Sequence, residues 1–303
     1  MENLRGIILM VASMAGFAVE DMFIKLAANE VPVGQILMSL GIGGAVFFLL
    51  ALRIRGERFW GRDLLSAAVN LRNLGEVIGS VGFVSALALM PISSASAILQ
   101  ATPLAVTLGA ALVLGETVGW RRWSAIAIGF MGVMMIVRPG LEGFNAYSIF
   151  ALIGVAGLAM RDLSTRQVPK SISSLRLAAV ALIIIIPTGA VLSLFTGTPK
   201  MPGTTNALYL LAAVAIGAVS YYAVILATRL GEVSVIAPFR YSRLIFAMAV
   251  GYFVFAERPD FWTLLGAAII IVSGVYTFMR EQRLRRKNLI PAARSPLGTN
   301  PRP

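Results

Sequence analysis

Nothing in this chain can do thiol or imidazole chemistry, for it contains no cysteine and no histidine. That removes disulfides, thiolate nucleophiles, the commonest transition-metal ligand and the usual proton shuttle. The groups left to act are charges set inside long apolar runs: Glu20, Asp21 and Lys25, then Glu76, then Arg161, Asp162 and Arg166, then Arg240 and Arg243. In hydrocarbon such a group costs about 3 kcal/mol or more unless it faces protein or water, so each is a candidate for binding or gating by default. No nucleophile stands beside a base, and neither a metal-ligand cluster nor a phosphate-binding loop is present. An enzyme is therefore not expected, nor a cofactor or metal.

Arg240 and Arg243 are three residues apart, hence on one face of a helix. At about 1.5 Å of rise per residue, Arg243 lies roughly 15 Å from the nearer end of its span, close to the bilayer midplane. Arg240 can snorkel to the interface; Arg243 cannot, and needs an anionic substrate or a buried carboxylate. Substrate binding or gating is the preferred reading, with Glu76, at comparable depth, the partner in a purely structural alternative. Asp21 with Lys25, and Asp162 with Arg166, are acid-before-base pairs at i, i+4, the favoured order along a helix. They are read as structural ion pairs, with a gate as the alternative. Glu20 and Arg161 precede these acids, turned about 100° around the helix, and carry opposite charges. Proton coupling through Glu20 or Asp21 is a lesser alternative. Gln100, Tyr241, Tyr221, Tyr222 and Ser80 supply either the oriented polar and aromatic faces of a small-molecule cavity or hydrogen bonds between helices. Arg72 reads as snorkelling at the interface, and Glu116 and Glu257 as capping or pinning the helix that follows each. Gly16, Gly41, Gly43, Gly44 and Gly157 permit close helix packing. The expected substrate-binding or gating set is therefore Arg240, Arg243, Tyr241, Gln100, Glu76, Glu20, Asp21, Tyr221 and Tyr222.

Such charges need helices in lipid to hold them. Of 303 residues, 58% are hydrophobic and only 13% charged, and the mean hydropathy is +0.83, so lipid must be the outer solvent. Apolar runs of spanning length fall at 6–27, 33–52, 70–90, 93–115 and 123–138, then at 147–165, 175–196, 207–229, 233–256 and 261–279. The expectation is an all-α membrane protein of ten transmembrane helices, the first of them retained rather than cleaved as a signal peptide. Arginine and lysine gather in one set of loops, at Arg5, Arg53 to Arg62, Arg121 and Arg122, Arg161 to Arg176, and the tail from Arg280. Only Arg138, Lys200 and Arg258 occupy the loops opposite. The positive-inside rule then puts both termini in the cytoplasm and the chain in the inner membrane. This topology accounts for the net charge of +12 without nucleic acid as a partner. Residues 281–303, rich in Arg and Pro, read as a disordered basic cytoplasmic tail.

An internal repeat recurs at an offset of 141 residues. Ala15-Gly16-Phe17-Ala18-Val19-Glu20-Asp21 and Lys25 fall on Ala156-Gly157-Leu158-Ala159-Met160-Arg161-Asp162 and Arg166, and Glu116 falls on Glu257. A shift of one residue then matches Trp120 with Trp262 and Gly132 with Gly274. Because each unit crosses an odd number of times, the second copy enters the membrane upside down: two inverted five-helix repeats, at 1–141 and 142–280. Such halves can rock about an axis in the membrane plane and expose a midplane site to each side in turn. The expected function is alternating-access transport of a small molecule, with the bilayer as the other partner and a homodimer compatible but not required.

The stretch from Ala86 through Ile92-Ser93-Ser94-Ala95, Pro103 and Leu114-Gly115-Glu116 to Gly132 resembles the EamA-type drug/metabolite transporters, and Ala227 to Glu257 and Gly274 resembles their second repeat. The resemblance covers about residues 5 to 280 and implies ten helices, two inverted repeats, transport without ATP hydrolysis, and a cavity lined chiefly by helices 1, 3, 4, 6, 8 and 9. Proteins of this kind export amino acids and drugs or take up riboflavin or S-adenosylmethionine, so the resemblance fixes neither substrate nor direction; efflux of an amino acid, drug or metabolite is slightly preferred here over uptake of an aromatic vitamin or cofactor such as riboflavin or S-adenosylmethionine. A channel or non-transporting scaffold is the distant alternative. One departure is that Pro103 has Leu244 as its counterpart, while Pro238 lies earlier, so the bend of the ninth span is left open.

Overall fold

A computed structural model describes residues 2–116, 119–140, 145–230 and 233–289. Its helices are α1 (Glu2–Ala27), α2 (Val33–Ile54), α3 (Ala67–Leu89), α4 (Ile92–Leu99), α5 (Thr102–Val113), α6 (Trp120–Val137), α7 (Ser148–Thr165), α8 (Ser174–Thr196), α9 (Thr204–Leu230), α10 (Val233–Ile236), α11 (Ser242–Phe255) and α12 (Phe261–Leu289). Short 3-10 turns occupy Arg62–Leu65 and Ala237–Tyr241, and no strand occurs among the described residues. Among those residues eight crossings are long and apolar enough to span a membrane, α4 with α5 counting as one. The chain is thus a multi-pass membrane protein. The other two expected spans are helical but more polar or broken: α3 carries Asn70, Arg72, Asn73 and Glu76, and the run from α10 to α11 carries Arg240 and Arg243.

Two expectations need correction. The spans at 93–115 and 233–256 are not continuous. Pro103 has no N–H to give, so the Leu99 carbonyl loses its helical partner; the Thr102 hydroxyl donates to it instead, at 2.6 Å, and the helix restarts as α5. Pro238 sits in the corresponding 3-10 turn of the second half. The second correction concerns the tail, for α12 runs on to Leu289. Arg280 to Leu289 holds good helix formers and no Gly or Pro, so nothing stops the helix there. Residues 290–303 and the expected boundary at 141 lie outside the described residues.

The helices pair in a pattern that the repeat offset leaves unchanged. α3 packs on α7 and α1 on α9, each pair being the counterpart of the other, while α2 packs on α8 and α6 on α12. The α3–α7 seam is glycine-lined: a Cβ at Gly157 would lie 2.7 Å from the Gly79 Cα, and one at Gly82 2.5 Å from the Gly154 nitrogen. Without a hydrophobic drive between helices in lipid, such close backbone approach is what holds them. Gly157→Leu should therefore cost about 3 kcal/mol by overpacking, read as a fall in melting temperature of the detergent-solubilised protein, whereas the same change at the open Gly119 should not. Facing lipid, Ile42, Val46, Leu50 and Ile54 form an exposed stripe at spacing four on α2.

A charged central cavity as the candidate functional site

The two helix breaks meet at the centre. Gln100, at the end of α4, donates from Nε2 to the backbone carbonyl of Tyr241 at 3.1 Å. These residues are 141 apart, counterparts in the repeat, so the bond joins equivalent points of the two halves. Around it opens a cavity of about 990 Å³, at the upper end of the ~300–1,000 Å³ usual for small-molecule sites. Its lining reaches Glu116, Thr165, Arg166 and Ala237 at one end, and stops short of Lys25 and Glu257 at the other.

Of the expected site residues, Arg240, Arg243, Tyr241, Gln100, Glu76, Glu20, Asp21 and Tyr221 line this cavity. Tyr222 does not: its hydroxyl accepts from Arg55 at 2.6 Å and its ring packs edge-on against Phe47. Arg243 takes Asp21 as its partner, not Glu76. Its Nη2 donates to both Asp21 carboxylate oxygens at 2.8 Å, its Nε donates at 3.2 Å, and its guanidinium sits 5.1 Å and 5.2 Å from the ring centres of Phe17 and Phe83. A guanidinium held by a carboxylate along its Nε–Nη2 edge and set against two aromatic rings has less to offer a substrate.

The expected i, i+4 pairs do not form. With Asp21 turned to Arg243, Lys25 donates to the carbonyls of Leu87 and Met90 at 3.2 Å and 2.6 Å. Asp162 takes Arg161 at 2.8 Å, and Arg166 takes Glu116 at 3.4 Å. For Asp21 and Lys25 the physical reason is that helix neighbours offer an i, i+4 pair only about 0.5 kcal/mol, less than a bidentate or carbonyl-capping contact across helices. Glu257 is a pin, as expected, but on a different helix from the one that follows it. It accepts from the Ile92 and Ser93 nitrogens at 2.8 Å and 3.0 Å and from the Ser93 hydroxyl at 2.6 Å, capping α4.

Arg72 does not snorkel to the interface as its place near the start of α3 suggests. It is buried, 4% exposed, and donates to Asn73, the Leu177 carbonyl and the Tyr221 hydroxyl at 3.1 Å, 3.3 Å and 3.2 Å, with Glu76 at 3.4 Å. It faces α8 and α9, where no headgroup can reach it. Glu76 also meets Arg161 at 3.5 Å. Arg161 and Asp162 therefore belong to the cavity, and the offset that maps Glu20 and Asp21 onto them was the signal that could have placed them there.

The lining holds five arginines (Arg72, Arg161, Arg166, Arg240, Arg243) and five carboxylates (Glu20, Asp21, Glu76, Glu116, Asp162), so selection rests on which of them are unpaired. Two form no hydrogen bond or ion pair to a described residue: Glu20 and the exposed Arg240. The repeat explains Glu20. Where Arg161 meets Glu76, its counterpart Glu20 meets Gly217, whose missing side chain would otherwise fall on that carboxylate. In the loops, two carboxyl groups of lowered pKa serve the structure. Arg176, donating to both oxygens of Asp63 at 2.7 Å and 2.9 Å, holds that carboxyl below the usual range. Burial would raise Asp260, but bonds from Thr263 and Arg138 hold it down.

An all-helical, multi-pass fold around a charged, substrate-sized cavity is that of a membrane transport protein. The EamA-like transporter family matches residues 4–138 and again 145–279, and the chain belongs to it. A riboflavin transporter of Rhizobium johnstonii is 31% identical over 69% of this chain and 69% of its own length. An S-adenosylmethionine uptake transporter of Rickettsia bellii is 27% identical over 72% and 75%, and the pseudopaline exporter CntI of Pseudomonas aeruginosa 27% over 88% and 94%. A solved crystal structure superposes with a TM-score of 0.57 over 90% of this chain and 98% of that one, at 17% identity, a likeness of fold alone.

Proposed function

We propose that the chain is a secondary carrier of the inner membrane that moves a small zwitterionic metabolite by alternating access, its termini cytoplasmic and its two five-helix halves inverted. The carrying observation is a pair of cavity groups of opposite sign, Glu20 and Arg240, that make no hydrogen bond or ion pair to a described residue. A bound cation offsets the desolvation of Glu20, and an anionic group does the same for Arg240 nearer the mouth. Ten expected spans, five to each half, support the inversion, as do the exchange-symmetric helix pairs. The basic loops support the orientation. The cavity then opens to the cytoplasm, with Lys25 and Glu257 closing the opposite face.

Such a cycle is reversible, so direction follows the gradients. Efflux of an amino-acid-like metabolite is the preferred reading, since the pseudopaline exporter matches along nearly all of its length. Uptake of a cofactor such as S-adenosylmethionine is the second, on the strength of the Rickettsia relative. A thermal-shift panel of amino acids, S-adenosylmethionine and riboflavin identifies the ligand, and counterflow of the labelled hit in proteoliposomes tests the mechanism. Unlabelled ligand inside should accelerate entry of label several-fold. Label that equilibrates with no such stimulation would make the protein a channel, and stabilisation by riboflavin alone would sink the zwitterion.

A further inference from the structure

At the closed end of the cavity two side chains hold the junction between α3 and α4. Lys25 places its ammonium on the carbonyls of Leu87 and Met90, at the C-terminal end of α3, 5.5 Å from the centre of the Phe255 ring. Glu257 places its carboxylate on the first N–H groups of α4. Both exploit the groups a helix leaves unsatisfied at its ends, the cation where carbonyls gather and the anion where N–H groups do.

The offset of 141 residues carries every part of this lock to the other end. Lys25 becomes Arg166, Glu257 becomes Glu116, and Ile92-Ser93 becomes Val233-Ser234, where the helical run from α10 to α11 begins. There Glu116 and Arg166 meet each other instead, at 3.4 Å, with side chains 39% and 38% exposed, and both line the open mouth. An ion pair that exposed holds weakly and exchanges readily.

We propose that Glu116 and Arg166 are the second lock of the carrier, idle in this state. In the opposite state Glu116 leaves Arg166 and accepts from the backbone N–H groups of Val233 and Ser234. Arg166 turns to the carbonyls that end α9, and the mouth shuts as the Lys25 and Glu257 contacts release. The assignment rests on the alternating-access reading above and adds to it the residues that decide which face is closed. It also accounts for the helix ends at which these charges recur: the same chemistry is needed once on each side, and never on both at once.

The absence of native cysteine makes the test clean. Ser96→Cys on α4 is the reporter for the closed face: Ser96 is buried, its hydroxyl has no hydrogen-bond partner among the described residues, and its repeat counterpart is Ala237, which lines the open mouth. Ala237→Cys reports on that mouth. Labelling by a membrane-impermeant maleimide is followed in right-side-out vesicles for the first and inside-out vesicles for the second. Glu257→Ala should raise labelling of Ser96→Cys and lower that of Ala237→Cys, while Glu116→Ala and Arg166→Gln should do the reverse. The change in the ratio should be on the order of tenfold, the worth of one charge-assisted hydrogen bond. Glu116→Gln, which keeps the volume and loses the charge, replaces the alanine variant if that one fails to reach the membrane. Response to Glu257→Ala with none to Glu116→Ala or Glu116→Gln, or a response in the same direction, overturns the second lock alone. Reporters unmoved by either change overturn the two-state carrier, and this lock with it.

Discussion

Glu20→Gln should weaken binding of the substrate's cationic group by about 30- to 100-fold, the loss of one charge-assisted contact in a site shielded from water. Its effect on stability should run the other way. Glu20 makes no hydrogen bond or ion pair to a described residue and lies against Gly217, so its removal leaves no orphan behind and relieves a desolvated charge. The melting temperature without ligand should stay level or rise, while the shift produced by the ligand disappears. Titration of the thermal shift with the ligand found in the panel separates the two quantities. Unchanged affinity in the glutamine variant would remove Glu20 from the binding site and with it the reason for expecting a cation in the cargo.

Arg243→Ala should give the opposite signature, a loss of about 3–5 kcal/mol in stability, because it strands a buried charge. Asp21, its side chain 2% exposed, has no other acid-neutralising neighbour than this guanidinium among its hydrogen bonds. Phe17 and Phe83 would also lose the cation beside them. Replacing both partners, Asp21→Leu with Arg243→Met, should recover most of the loss, since an apolar pair of similar volume avoids the desolvation that the ion pair must offset. Exchange of the charges, Asp21→Arg with Arg243→Asp, is the stricter control. Thermal unfolding in detergent reads all four proteins. If Arg243→Ala melted with the parent yet lost its ligand response, Arg243 would be a substrate group, and the reading of the pair as an internal clamp between α1 and α11 would be wrong.

The contrast between Glu20 and Asp21, adjacent in the chain, shows how much of a site depends on the rotation of a helix. A turn of about 100° points one carboxylate at an arginine 222 residues away and the other at a glycine. No local pattern records that difference. The same holds for Arg72, whose position near the start of α3 reads as interfacial until α8 and α9 are laid over it. Tyr222, next to a tyrosine that does line the cavity, faces Arg55 and Phe47 instead.

What the sequence determined by itself was the solvent, the starts of the helices, and the duplication. Each of the ten expected spans begins within four residues of the start of a helix in the fold, because hydropathy over a span is a sum of local terms and lipid reads it directly. The tertiary structure alone decided the breaks beside Pro103 and Pro238 and the partners of the charges. Those depend on contacts between residues far apart in the chain, where a cross-helix bond to a carboxylate or a helix end outweighs the small preference of neighbours along one helix.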